Sequence, residues 1–264
     1  MRSFSADYLT RTREGMWADS REALSALDLE RRERVLDVGC GTGELTRVLE
    51  AESPGDVVGC DADRRLLEHA ASHVPAVAGD ATRLPFADDA VDLVVCQALL
   101  INLPDPAAAV SEFARVSSDL VAAVEPDNAN VTVDSSVGQE AALESRARRA
   151  YLDGVDTDVA LGSRASETFE EAGLEVLDTR RYDHTRTVGP PYDEHALRMA
   201  HRKATGAGLA DDRETMLASA LTAEGYDDLR GAWREMGRDV IEQMREETYV
   251  RRETVPFYVT VGRV

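Results

Sequence analysis

Nine consecutive residues, Val35-Leu36-Asp37-Val38-Gly39-Cys40-Gly41-Thr42-Gly43, constrain the chain more than any other stretch. An apolar run ends in three alternating glycines, and a helix-forming segment, Glu44 to Glu50, follows at once. That pattern is a buried strand feeding a glycine turn into a helix. Glycine lets the backbone approach a ligand where a Cβ would collide. In open α/β sheets ligands lie beyond the carboxyl ends of the strands, near the point where the strand order reverses, and a turn of this kind belongs there.

The residues that follow keep an alternating rhythm. Strands are expected at Asp56–Cys60, Ala76–Ala78, Val91–Cys96 and Leu120–Val124. Helices are expected at Arg64–His73 and at Asp105–Val116, the latter N-capped by Asp105 with Pro106 at its first position. Strands and helices of these lengths in alternation imply a parallel sheet with right-handed crossovers. After Val124 the rhythm breaks. Residues 126–162 are polar and alanine-rich, with a helix from Gly138 to Tyr151. A helix from Ser163 to Ala172, closed by Gly173, leads to a strand at Leu174–Tyr182. Residues 193–247 are helical, and Pro256–Val261 is a final strand. The expected architecture is a single domain over 1–264. Its core takes in about 20–125, 163–188 and 255–264, with helical cap insertions at about 126–162 and 190–247.

The glycine turn discriminates between ligands. A dinucleotide loop needs G-x-G-x-x-G, but the third glycine position, counted from Gly39, holds Glu44. A carboxylate at that helix N-terminus repels a pyrophosphate placed against the same dipole. A cationic, phosphate-free ligand suits an acidic glycine loop better. Asp61 follows the second strand, where a carboxylate can accept both hydroxyls of a ribose.

Together with Gly79-Asp80-Ala81, Leu84-Pro85-Phe86-Ala87-Asp88-Asp89 and Val91-Asp92-Leu93-Val94, the stretch Val35–Gly43 resembles the class I S-adenosylmethionine-dependent methyltransferases, in particular their ubiquinone/menaquinone-type (type 11) branch. The resemblance covers about residues 30–125, and it implies a Rossmann-like α/β fold with a seven-stranded, mostly parallel sheet. It implies S-adenosylmethionine as cofactor. Gly39, Gly41 and Gly43 would line its methionine and ribose moieties, and Asp37 would sit near the amino group or support the loop. Asp61 would bind the ribose, Asp80 the adenine amino group, and the Ala81 amide the ring. Gln97 would border the methyl donor, and Cys40 and Ala62, in the two turns, would also contact the cofactor. Arg13, in Tyr8-Leu9-Thr10-Arg11-Thr12-Arg13, would fold over the cofactor carboxylate; a solvated helix face is the alternative. Ile101-Asn102-Leu103 stands where the branch often has a histidine, so histidine-assisted chemistry is not carried over, and no catalytic residue is assigned.

Several residues have a plainer reading. Asp37 and Asp92 can simply cap turns. Gly189-Pro190-Pro191-Tyr192 is similar to the (Asn/Asp)-Pro-Pro-Tyr of amino-methylating enzymes, but that motif belongs after the fourth strand, where this chain has Gln97-Ala98-Leu99-Leu100; a rigid turn is expected instead. His184, His195 and His201 could act as bases, though packing or surface positions fit them better. Pro126-Asp127-Asn128 can border an acceptor pocket or form an ordinary turn. Tyr226, Leu229, Trp233, Met236, Val240 and Met244 recur at helical spacing. Their face packs on the cap or sheet, or joins copies of the chain into an oligomer.

Composition limits the setting. Fifty acidic residues face thirty basic ones, for a formal net charge of −20, and Lys203 is the one lysine. A surface so acidic self-repels at low salt and resembles that of salt-accumulating archaea. It disfavours nucleic-acid partners, whose affinity rests on basic residues. No apolar run reaches a membrane span or a secretion signal, which makes the cytoplasm the expected location. Cys40, Cys60 and Cys96 sit in or beside strands without a CxxC pair, so buried thiols are expected rather than a metal site. The expected activity is methyl transfer to a small or medium organic acceptor. An RNA or protein methyltransferase with a small activator subunit, an inactive S-adenosylmethionine-binding module and a nicotinamide dehydrogenase are the alternatives.

Overall fold

A computed structural model describes residues 16, 17 and 21–264. The chain divides into two compact units. The first comprises its described residues up to Asp127, with Leu161–Tyr182 and Pro256–Val264; the second comprises Asn128–Ala160 and Asp183–Val255. The insertions expected at 126–162 and 190–247 overlap the two segments of the second unit.

The first unit is built on a sheet of β1 (Arg34–Val38), β2 (Asp56–Asp61), β3 (Ala76–Ala78), β4 (Val91–Gln97) and β5 (Ser117–Pro126). Its order is β3-β2-β1-β4-β5, all neighbours parallel. The C-terminal part of β8 (Arg251–Arg263) runs antiparallel along β5, from Leu120 opposite Arg263 to Pro126 opposite Phe257, and β7 (Glu175–Val188) pairs with β8. Seven strands thus contribute to this unit among the described residues; β1 to β4 lie nearly where expected, while β5, β7 and β8 run longer than the expected Leu120–Val124, Leu174–Tyr182 and Pro256–Val261. The central strands β4 and β5 are almost continuously buried, which is why they read as unbroken apolar runs rather than as alternating ones. Strand order reverses between β1 and β4, so the turns after these two strands open onto one crevice.

Helix α1 (Glu44–Glu52) follows β1, α2 (Arg64–Ala70) follows β2, and α3 (Pro106–Val116) joins β4 to β5. Asp105 caps α3 through the Ala108 amide, 3.0 Å away, with proline at the first turn as expected. Val110, Phe113 and Val116 of α3 pack with Phe169 of α5 (Ala165–Glu171) and with Leu36, Val94 and Val121 of the sheet in one buried cluster. The helix expected from Ser163 starts instead as a single 3-10 turn, Gly162–Arg164, before α5. Gly173 takes φ +88° just beyond α5, the left-handed conformation that a helix-ending glycine supplies.

The second unit contains α4 (Glu140–Gly154), α6 (Glu194–Thr205), α7 (Ala207–Asp211), α8 (Arg213–Ala218), α9 (Ala223–Arg245) and the short β6 (Thr132–Ser135). Strand β6 is antiparallel to Arg251–Thr254 of β8. It is absent from the sequence reading because Thr132-Val133-Asp134-Ser135 carries one apolar residue, and none of the four is fully buried. Tyr226, Leu229, Trp233, Met236, Val240 and Met244 of α9 all point into this unit's own core. Gly237 lets α9 approach α6 closely, since a Cβ there would lie 2.2 Å from the Ala204 nitrogen. The helical face weighed as an oligomer surface is therefore covered within the chain.

Candidate cofactor site

Register places the candidate residues along one edge of the first unit. Val38 of β1 is paired with Cys60 of β2 and with Cys96 of β4, so Gly39, Asp61 and Gln97 are the next residues to leave the sheet. Asp61 is paired with Ala78, which brings Gly79 and Asp80 to the same edge, and Gln97 is paired with Val124, which brings Glu125.

The glycine loop is tightly wound. Gly39, Gly41 and Gly43 take φ of +71°, +57° and +85°. The amides of Gly39 and Cys40 both donate to the Cys60 carbonyl, at 2.7 and 3.1 Å, and Gly43 closes a turn on the Cys40 carbonyl at 2.8 Å. Gly39 is also required by space: a Cβ there would lie 2.9 Å from Cδ1 of Leu99, which sits over it from the turn after β4. Gly43 starts α1, and Glu44 in its first turn accepts the Thr42 hydroxyl at 2.5 Å and pairs with Arg47 at 3.3 Å.

The acidic residues fall into two groups. Asp37 is buried and accepts the Thr46 hydroxyl at 2.6 Å, which ties β1 to α1; of its two expected roles this geometry supports the loop. Asp92 accepts the amides of Glu33 and Arg34 at the start of β1, the plain reading of that residue. Asp61 is half-buried at the edge and accepts the Gly41 amide at 2.9 Å and the Asp63 amide at 2.8 Å. Ala62 beside it is exposed. Asp80 is exposed and accepts both the amide and the hydroxyl of Thr82 at 2.8 Å, bonds that hold its carboxyl below the usual range. Ala81 behind it is buried. Arg13 lies outside the described residues.

Gln97 is buried, and its Nε2 donates to Sδ of Met16 at 2.8 Å. Trp17 stacks on Tyr182 with ring centroids 5.2 Å apart, and the Tyr182 hydroxyl donates to the Met16 carbonyl. Met16, Trp17 and Tyr182 thus join Gln97 at the end of β4, a grouping without a local sequence signal because Tyr182 comes from the middle of the long strand β7. Glu125 is also new. It is fully buried at the end of β5 and accepts the amides of Leu99, Leu100 and Ile101. A single acid closing the apolar run Leu120–Val124 was the one signal available for it.

The three cysteines are buried free thiols. Burial above all, with Asp61, Asp37 and Asp80 nearby, pushes Cys60 up to about 12, so it stays protonated. Among the described residues no cluster of His, Cys, Asp and Glu could hold a metal ion. His184, His195 and His201 belong to the second unit, His184 buried and His201 exposed. The proline turn Pro190-Pro191 contains a cis bond and is followed by Tyr192, whose hydroxyl donates to the Tyr249 carbonyl at 3.0 Å.

The donor set suits S-adenosylmethionine. Carboxylates at Asp61 and Asp80 can accept hydroxyl and amino hydrogens, and Glu44 beside the glycine turn disfavours phosphate. Residues 36–119 match the family described as a methyltransferase domain (Methyltransf_11). This segment is a class I methyltransferase domain. Its cofactor is S-adenosylmethionine. The methyltransferase domain is similar to the demethylmenaquinone methyltransferase of Mycolicibacterium paratuberculosis, at 43% identity over 93 residues, covering 35% of this chain and 40% of that protein. It is also similar to the enzyme of the same name from Lactiplantibacillus plantarum, at 36% identity over 107 residues, covering 36% of this chain and 45% of that one. The match thus spans less than half the length of these curated relatives. Beyond the methyltransferase domain the likeness is one of fold. A Bacillus halodurans protein with a provisional methyltransferase assignment gives a TM-score of 0.55 at 19% identity, over 93% of this chain and 98% of that one. A Haloferax volcanii complex of the Trm112 activator with a methyltransferase partner gives 0.53 at 19% identity, over 97% and 92%.

Proposed function

We propose that the chain transfers a methyl group from S-adenosylmethionine to a small or medium organic acceptor, and that a quinone-like ring is the first acceptor to test. The observation that carries the donor half is the convergence of the Gly39 loop, Asp61 and Gln97 at the strand-order switch, with Glu44 in the position that excludes a pyrophosphate. The names of the demethylmenaquinone methyltransferases support the acceptor class. Among the described residues no helix is long and apolar enough to cross a membrane.

When bound, the cofactor supplies an electrophilic methyl on a sulfonium, whose carbon–sulfur bond breaks with the electron pair returning to sulfur. The leaving group is then neutral and needs no acid. This chain's residues have to position the two partners, and holding reactants in line supplies much of the rate in such a reaction. Asp61, fixed by two backbone amides, offers its remaining lone pairs to the ribose. Asp80, fixed by Thr82, offers its carboxylate to the adenine amino group. Gln97 keeps its carboxamide buried at the end of β4. A base is needed only where the acceptor carries a proton that must leave.

Calorimetry with S-adenosylhomocysteine and with NAD tests the cofactor, and methyl transfer from labelled donor to a demethylated quinol tests the acceptor. Tighter binding of NAD would overturn the first half. Donor binding without turnover on the quinol, on small-molecule extracts or with an added activator subunit would point to a binding module.

A further inference from the structure

We propose that Glu125 is a positioning residue for the cofactor: its buried carboxylate gathers the amides that follow β4 and so sets the Leu99 side chain against the glycine loop. The proposal rests on the methyltransferase reading above.

Three consecutive amides converge on this one side chain. Oε1 accepts from Leu99 at 3.0 Å and from Leu100 at 2.9 Å, and Oε2 accepts from Ile101 at 3.4 Å. The Cys96 thiol approaches Oε1 at 3.8 Å. Among the described residues no lysine or arginine bonds to Glu125, which is 0% exposed, so amides stand in for a counter-charge. Ala98 makes the convergence possible. It takes φ +50°, a conformation that a residue with a Cβ rarely adopts, and its own amide donates to the Val124 carbonyl at 2.9 Å. The reversal at Ala98 aims the next three amides back at the end of β5. Asn102 closes the turn by donating from Nδ2 to the Ala98 carbonyl at 2.8 Å.

The turn held in this way carries Leu99, whose Cδ1, Cδ2 and Cβ all lie within 3.2 Å of where a Cβ on Gly39 would stand. Glu125 on β5 is thereby linked to the cofactor loop on β1 through one amide and one side chain. A carboxylate that served packing alone would be replaced without loss by an apolar residue; one that orders three amides cannot be. Its charge state therefore sets how well the turn is held. Burial pushes its carboxyl up to about 7, against the pull of the Leu100, Leu99 and Ile101 amides. The ionisable neighbours are few. Cys96 faces it from β4, with a thiol that burial, Glu125 and Asp37 keep protonated; Tyr258 is its register partner on β8; and Asp127 lies two residues on. The turn itself presents only Leu99, Leu100 and Ile101.

The test is S-adenosylhomocysteine affinity by calorimetry from about pH 6 to about pH 8.5, with melting temperature at each point, for wild type, Glu125→Gln and Leu99→Ala. Wild-type affinity is expected to rise with pH through about 7 as the carboxylate ionises. Glu125→Gln keeps the shape but turns an amide donor toward a backbone donor, so it should bind about tenfold more weakly at the alkaline end and lose the pH dependence. Leu99→Ala leaves the carboxylate in place and cuts its link to Gly39, so its profile should flatten too. It decides the matter if Glu125→Gln does not fold. Wild-type affinity and pH profile in Glu125→Gln, or a wild-type profile in Leu99→Ala, overturns the proposal alone. No binding by the wild type at any pH overturns the methyltransferase reading and this proposal with it.

Discussion

The Asp61 carboxylate accepts the Gly41 amide at 2.9 Å, so the acid that ends β2 shapes the loop that ends β1. The ribose role proposed for Asp61 would therefore share one side chain with the loop-ordering bond. Asp61→Ala removes two bonds to backbone amides as well as those proposed to a ribose. Charge-assisted bonds contribute about 1.5–3 kcal/mol each, and water replaces part of that. We expect at least about tenfold weaker S-adenosylhomocysteine binding, at roughly 1.4 kcal/mol per decade. Asp61→Asn restores one acceptor but sets an amide donor against a backbone donor, so it should recover only part of the loss. Affinity within twofold of wild type in Asp61→Ala would remove Asp61 from the site.

Asp63, two residues on, behaves differently. Its carboxylate accepts the Arg65 amide at 2.9 Å and so caps α2, while its ion pair with Arg65 is exposed. Bonds from the Arg65 side chain and amide hold its carboxyl down at about 2. A depressed carboxylate stabilises the fold above the ordinary carboxylate range and loses that effect as pH falls toward its folded value. Asp63→Ala should lower the melting temperature by a few degrees at neutral pH, less in acid, and leave S-adenosylhomocysteine affinity alone. A fall in affinity as large as that of Asp61→Ala would show the ribose contact to lie at Asp63.

Lys203, the single lysine, is built into the second unit. Its ammonium pairs with Glu140, which is 0% exposed, and with Glu144 at 2.8 Å; Arg251 joins Glu144 at 2.6 Å, and the Tyr249 hydroxyl donates to Glu140 at 3.0 Å. Burial opposes the Glu144 charge, yet Lys203 and Arg251 together hold its carboxyl below the usual range. Breaking a buried pair costs about 3–5 kcal/mol, and without Lys203 the two buried carboxylates share Arg251 alone, which offsets part of that cost. Lys203→Met should therefore lower the melting temperature at neutral pH, and less below the carboxylate range, where Glu144 can protonate. A melting curve unchanged by Lys203→Met would show that the cluster contributes nothing.

Stability should also report on Glu125. Its folded carboxyl is raised to about 7, so between the ordinary carboxylate range and that value the folded state holds the extra proton. Stability from this group therefore falls as pH rises through that window. The wild type should lose more melting temperature between about pH 5 and about pH 8 than Glu125→Gln does. Parallel curves for the two proteins would argue that Glu125 is ionised throughout.

The net charge of −20 gives a prediction for the whole chain. Mutual repulsion among exposed acids weakens as salt shortens the screening length from about 10 Å at 0.1 M to about 3 Å at 1 M. The melting temperature should climb steadily up to molar KCl. A flat response would leave the acidic composition without a role in salt tolerance.

The fold of the first unit was legible because its signals are local. Val35–Gly43 declares a strand, a turn and a helix within a few residues, and Asp105-Pro106 marks the start of α3 by cap chemistry alone. The placement of the candidate site was legible where it rests on the same turns, at Gly39, Asp61 and Asp80, which the register brings to one edge. It was hidden where it depends on strand register. Nothing near Glu125 in the chain says that three amides after β4 will meet it, since Gln97 and Val124 become neighbours only when β4 pairs with β5. Trp17 and Tyr182 are further apart still, and their stacking follows from tertiary packing. The second unit yielded its helices through the spacing of α9, but not β6, whose single apolar residue is too few to reveal an alternation in the sequence.

The pairing of β5 with the end of β8 has a consequence for how the protein is made. Leu120–Pro126 leave the ribosome long before their antiparallel partners Phe257–Arg263. Until then one side of β5, carrying Val121, Ala122, Ala123 and Val124, offers unpaired amides and carbonyls flanked by apolar side chains. Such an open edge invites strands from other nascent chains, and contacts this distant in sequence form late. Slow synthesis or an early stop within 183–255 should therefore yield aggregates rather than a soluble fragment of the methyltransferase domain, a hazard that chaperones working during translation would have to contain.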